Sequence, residues 1–174
     1  MLTKEKMLHL FGLLNDKLKK NGQRGEVYIV GGASMCLVLN ARASTYDIDA
    51  LFEPKTEINK YIKEIAAEEG IKEDWLNDGV KGFINENLQT KLYLELSNLI
   101  IYSATPEYIF AMKAKAARTD EESFDAEDLK FLIEYLRIEC LREAEEILTK
   151  YYSVEEILPK TTYFIESIIN EKED

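Results

Sequence analysis

The sequence predicts an α+β fold. A small mixed sheet with helices occupies residues 1–103, and a helical extension over 104–174 packs on it as one compact unit. Three observations carry this. The apolar run Val27–Val30 is followed by Gly31-Gly32, a second apolar stretch Met35–Leu39 and then Asp47-Ile48-Asp49-Ala50-Leu51-Phe52, which reads as strand, glycine turn, short helix, strand. Lys91–Tyr102 alternates in the manner of one or two further strands. From Thr105 onward the apolar spacing is helical. A length of 174 residues and an apolar fraction of 46% suit one domain with a core.

In chain order, Met7, Leu10, Phe11, Leu14 and Leu18 mark one face of an amphipathic helix that Asn21-Gly22 ends. Lys4 and Lys6 ahead of Leu8–Leu14 loosely mimic a secretion signal. His9 and the polar Asn15-Asp16-Lys17, with no small-residue cleavage site, favour the packed helix. After Phe52, Pro54 stops the strand. Ile58, Tyr61, Ile62 and Ile65 share a helical face over 56–69, closed by Gly70. Glu73–Gly79 is a turn-rich loop holding the sole tryptophan, Trp75, either as a core plug or as a wall against a nucleobase. Thr105 and Pro106 read as N-cap and first residue of a helix running to Arg118. Leu129, Leu132, Ile133 and Leu136 stripe the next helix, Pro159 interrupts the acidic C-terminal part, and a final helix follows from Thr162.

The chemistry concentrates at Asp47-Ile48-Asp49. Residues two apart on a strand project to one face, so both carboxylates stand together. Such a pair repels itself unless a cation sits between its members. Hard oxygen donors suit Mg²⁺ or Mn²⁺, and Mg²⁺ takes one or two carboxylates plus substrate phosphates.

Apolar strand, Gly31-Gly32, Ser34 and, fifteen residues beyond Gly32, Asp47-x-Asp49 together resemble the nucleotidyltransferase superfamily built on a polymerase-β-like palm. More narrowly the chain is similar to small bacterial stand-alone nucleotidyltransferase-like proteins, including AbiEii-type toxins of toxin–antitoxin systems. Those carry an Arg and a Ser/Thr before the aspartates, as Arg42, Ser44 and Thr45 do here, and a later helix with spaced Lys, Arg and Asp, here Lys113, Arg118, Asp125 and Asp128. The resemblance spans roughly residues 24–138 and implies an NTP substrate. The acceptor is RNA, protein or a small molecule, and a toxin or antitoxin partner and a cytoplasmic setting go with it.

The resemblance also assigns roles. Asp47 and Asp49 hold metal. Gly31, Gly32, Ser34, Arg42 and Lys113 contact the nucleotide. A third carboxylate belongs on a strand beside the pair, and Glu95 is the first candidate, before Asp78 and Glu53. Lys113 reaches a phosphate oxygen while Arg118 pairs with Asp125 or Asp128. Read without the resemblance, that helix is an ordinary charged face.

Other classes recede. His9, the single histidine, lies in an amphipathic helix, so zinc and histidine-based nucleophilic sites have no basis. Cys36 and Cys140 lack metal-ligand spacing and read as reduced thiols. No apolar stretch reaches the length of a membrane helix. Two readings of function stand, an NTP-dependent transferase and a non-catalytic binding protein on the same fold.

A net charge of −11 opposes broad nucleic-acid binding, which needs a positive face. On one helix Lys113 and Lys115 are about 200° apart, and Lys113 and Arg118 about 140°, so they form no continuous track. Binding to bulk RNA or DNA is expected to be weak and salt-sensitive. Tight, sequence-independent retardation of duplex or transfer RNA at physiological salt in a gel shift contradicts this.

Overall fold

A computed structural model of the chain describes residues 1–82, 84–116 and 125–171. The chain divides into two units, Met1–Ile84 with Thr90–Ala104, and Asn85–Gln89 with Thr105–Asp174.

The first unit contains β1 (Leu2–Thr3), α1 (Lys4–Lys20), β2 (Gly25–Ile29), α2 (Gly31–Leu37), β3 (Ser44–Thr45), β4 (Ile48–Glu53), α3 (Lys55–Glu69), β5 (Leu76–Asn77), β6 (Thr90–Glu95) and β7 (Leu99–Ala104). The five-stranded sheet has the order β5-β4-β2-β7-β6 and is mixed. β2 is antiparallel to β4 and parallel to β7, while β4 is parallel to β5. β1 and β3 form a separate antiparallel pair, Leu2 opposite Thr45.

The pleat sorts the sheet into two faces. Val27 and Ile29, Ile48, Ala50 and Phe52, and Leu99 and Ile101 all turn inward and are buried. Met7, Leu10, Phe11, Leu14 and Leu18 of α1 pack there with Ile58, Tyr61, Ile62 and Ile65 of α3. Helical spacing at i, i+3, i+4 puts each set on one stripe, so a sheet face and two stripes close one core. The other face carries Asp49, Leu51 and Glu53 from β4, Glu26 and Tyr28 from β2, and Ile100 and Tyr102 from β7, none of them buried.

Local signals explain the helix ends. Thr3 Oγ1 accepts from the Lys6 N–H at 3.3 Å and caps α1. Gly70, left-handed with φ 62°, closes α3. Trp75 is buried and its Nε1 donates to the Ile62 carbonyl at 3.1 Å. It is the core plug, and the reading of it as a wall against a base falls.

The second unit is helical: α4 (Pro106–Ala116), α5 (Asp125–Tyr135), α6 (Leu141–Tyr151) and α7 (Pro159–Asn170). Pro159 opens α7 at its first turn rather than merely interrupting a run, because a missing N–H costs nothing there. Residues Tyr108–Ala114 are all buried, so α4 is a core helix rather than an exposed charged face. Asn85 Nδ2 donates to the Tyr151 carbonyl at 2.7 Å, and the Asn85 N–H donates to the Tyr108 hydroxyl at 3.2 Å. These bonds draw 85–89 into the helical unit, whereas the sequence pattern assigns that stretch to the sheet.

Inside this unit Lys113 Nζ meets Asp128 Oδ2 at 2.6 Å, with both side chains nearly inaccessible. Breaking a buried pair leaves a charge without its counterion and costs about 3–5 kcal/mol, while an apolar replacement of both is near neutral. Asp128→Ala should therefore lower stability by about 3–5 kcal/mol, with Lys113→Met/Asp128→Leu close to wild type. Denaturant melts that place Asp128→Ala within about 1 kcal/mol of wild type would remove the pair from the helical core.

Candidate active site

The site is built where β2 ends. Ile29 lies opposite Ala50, and the Val30 N–H donates to the Asp49 carbonyl at 3.0 Å. The chain then turns at Gly31, which has φ +55°, a left-handed conformation that costs a side-chain-bearing residue about 1–2 kcal/mol. The glycine turn is thereby fixed beside Asp49.

Gly32 has a different reason to be glycine. A Cβ there would lie 2.6 Å from Thr45 Oγ1 and 3.0 Å from an Arg42 terminal nitrogen. Thr45 is buried and pinned on β3. The missing side chain makes room for the segment that leads into Asp47, and the Arg42 guanidinium stands over the turn.

β4 proper begins at Ile48, so Asp47 sits one residue before the strand. Asp49 alternates with buried Ile48 and Ala50 and therefore faces away from the core. Asp47 is tied to that same side by Asn77. Asn77 is the register partner of Asp49 across the parallel β4–β5 pair. Its Nδ2 donates to Asp47 Oδ2 at 3.1 Å.

Two expected site residues stand elsewhere. Ser34 is fully buried, donates to the Ile29 carbonyl at 3.1 Å and accepts from the Ser103 hydroxyl at 3.0 Å. Its hydroxyl locks α2 to the sheet and has no face toward a nucleotide. Glu95 lies on the edge strand β6, three strand steps or about 14 Å across the sheet from β4. The row Glu95–Ile100–Glu26–Glu53 also puts it level with the far end of β4, about 13 Å along the strands from Asp49. Glu95 is not a third carboxylate of this site, and Glu53 in the same row is not one either. Within the helical unit, Lys113 pairs its ammonium with Asp128. Arg118 and the side chain of Asp125 lie outside the described residues.

Asp78 follows Asn77 but bonds Lys55 at the start of α3, and that hydrogen bond holds its carboxyl below the ordinary value. It ties the loop after β5 to the start of α3. Cys36 is buried, which pushes its thiol up and leaves it inert.

The face beyond Asp49 is ordered in rows. Leu51, Tyr28, Tyr102 and Leu92 share one register line, and the two tyrosine rings stack at 5.0 Å. The next line holds Glu53, Glu26, Ile100 and Glu95. Tyr28 donates to Glu26 at 2.5 Å, and that bond raises its phenol to about 12.

The donor set suits a hard divalent ion: two adjacent carboxylates, no histidine and no thiolate. Among the described residues no group of three or more His, Cys, Asp or Glu side chains converges. Residues 5–158 match the model of a family described as a nucleotidyltransferase of unknown function (DUF6036). No curated protein and no solved structure matches the chain. No helix among the described residues is long and apolar enough to cross a membrane.

The crowding at Gly32 gives a double-mutant test. Gly32→Ala should cost about 1–3 kcal/mol, as overpacking does, and clearly less in a Thr45→Ala background. Equal cost in both backgrounds, read from denaturant midpoints, would show that Thr45 is not what excludes the methyl group.

Proposed function

The chain belongs to the family of nucleotidyltransferases of unknown function, and on that premise we propose that its site moves a nucleoside monophosphate from an NTP to an acceptor hydroxyl. One observation supports this most. The Val30–Asp49 bond joins a Gly-Gly turn to a carboxylate pair on an accessible sheet face. At the turn, glycines let backbone N–H groups approach phosphate oxygens without a Cβ in the way. The Arg42 guanidinium over Gly32 brings positive charge to the same end.

Asp47 and Asp49 would hold Mg²⁺ or Mn²⁺, which when bound offsets phosphate charge and lowers the pKa of a coordinated oxygen. The acceptor oxygen bonds to the α-phosphorus, the bond to the β-phosphate bridge breaks, pyrophosphate leaves, and the hydroxyl proton passes to solvent. The protein's part is placement: Asp49 fixed by β4, Asp47 held by Asn77, phosphates received at the turn. The AbiEii-type likeness, a toxin–antitoxin or phage-defence setting, a protein partner and a cytoplasmic location belong to the proposal. Their support is the run from Gly31-Gly32 to Asp47-Ile48-Asp49 and the isolated cysteines.

A second reading, a binding protein without turnover, draws on the two-carboxylate donor set, which is smaller than the resemblance implies. One assay separates the two. α-³²P-labelled NTPs with Mg²⁺ or Mn²⁺ and extracts of RNA, protein and small molecules should yield labelled product, reduced at least about 100-fold in Asp47→Asn and Asp49→Asn, as loss of transition-state charge stabilisation requires. Undiminished labelling by Asp49→Asn would end the enzyme reading. Metal-dependent NTP binding with no labelled product from any of the four NTPs would establish the binding role.

A further inference from the structure

We infer that Asn77 is a positioning residue of this site, holding the Asp47 carboxylate beside Asp49 by hydrogen-bond donation. The inference rests on the proposed metal-binding role of the two aspartates and adds a residue that the resemblance does not supply.

Register comes first. Asn77 faces Asp49 across β4–β5, and paired residues on adjacent strands share a face about 4.8 Å apart. That is the neighbouring-strand slot where a third carboxylate was expected, and an amide occupies it. Orientation comes second. Asn77 Oδ1 accepts from the Gly79 N–H at 2.9 Å, closing an Asx turn. The acceptor end of the amide is thus committed, and the NH₂ end is turned toward Asp47 Oδ2 at 3.1 Å and the Asp74 carbonyl at 3.4 Å. A residue serving only the turn would need the Gly79 bond alone. This one reaches a carboxylate thirty positions earlier in the chain.

The chemistry follows from which end points where. A carboxylate in this slot would put a third negative charge against Asp47 and Asp49. The amide donates to Asp47, takes up one oxygen lone pair and fixes the rotamer, so the remaining lone pairs keep one direction. Outer partners of this kind typically change metal affinity 10–100-fold on mutation.

The probe is Mn²⁺ alone, titrated calorimetrically into the full chain. Asn77→Ala should weaken binding about 10–100-fold with the melting transition retained. Asn77→Ser, whose hydroxyl still closes the turn to Gly79, should weaken it comparably and covers the case in which Asn77→Ala does not fold. Wild-type affinity in the Ser variant overturns the inference.

A second readout needs no metal. In wild type the Asn77 side-chain amide resonances should be displaced and slow to exchange, and Asp47→Ala should abolish both. Unchanged resonances overturn the inference even where Mn²⁺ binds. Resonances that respond to Asp47→Ala in a wild type that binds no Mn²⁺ keep the Asn77–Asp47 contact and reject the metal role of the carboxylates instead.

Discussion

The antiparallel pairing of β2 with β4, ending in the Val30–Asp49 bond, is the constraint on which the site depends. Strand pairing is register-specific because one face is buried, and a slip of one residue would send Asp49 into the core and Ala50 outward. The apolar alternation Ile48, Ala50, Phe52 against Val27 and Ile29 prevents that slip. The same hydrophobic pattern that closes the core therefore aims the carboxylate. Gly31 and Gly32 complete the arrangement for separate reasons, one by adopting a left-handed conformation and one by leaving space under Arg42 and Thr45.

Burial decides which polar groups serve the fold and which serve the accessible face. Ser34 and Ser103 bond each other inside the first unit, where an unmade hydrogen bond would cost about 1–3 kcal/mol. Lys113 and Asp128 do the same with charge in the second unit. Such groups are conspicuous in a sequence, and each invites a functional role. Their inaccessibility shows that they were placed to satisfy one another.

The elements with strong periodicity are legible in the residues alone: the stripe of α1, the stripe of α3 between Pro54 and Gly70, the Thr105-Pro106 start of α4, and the strand–turn–helix–strand run around the aspartates. What is illegible depends on strand order. Glu95 alternates properly on its own strand, but alternation carries no information about neighbours, and β6 lies at the opposite edge of the sheet from β5. Asn77 is hidden for the complementary reason. β5 is two residues long and shows no period at all, so Trp75-Leu76-Asn77-Asp78-Gly79 reads as turn chemistry until Leu76 is seen opposite Ile48. The attachment of 85–89 to the helices is likewise set by two hydrogen bonds of Asn85 that no pattern announces.

Charge gives the accessible face a direction. From Asp49 toward Glu53 a phosphate chain would cross the Tyr28–Tyr102 line and then meet Glu53, Glu26 and Glu95 in one row. The tyrosine line carries no charge and the row beyond it carries three carboxylates, and like charges placed together are costly wherever solvent is thinned. From Asp49 toward the end of β2 the same chain would meet the glycine turn and the Arg42 guanidinium. The two directions are therefore not equivalent for a polyanion, although the strands that define them are. On the proposed reading, a triphosphate would lie at the turn end. A group lying over the tyrosines meets an environment that favours uncharged or cationic chemistry, consistent with a chain whose net charge of −11 sets it against polyanions generally.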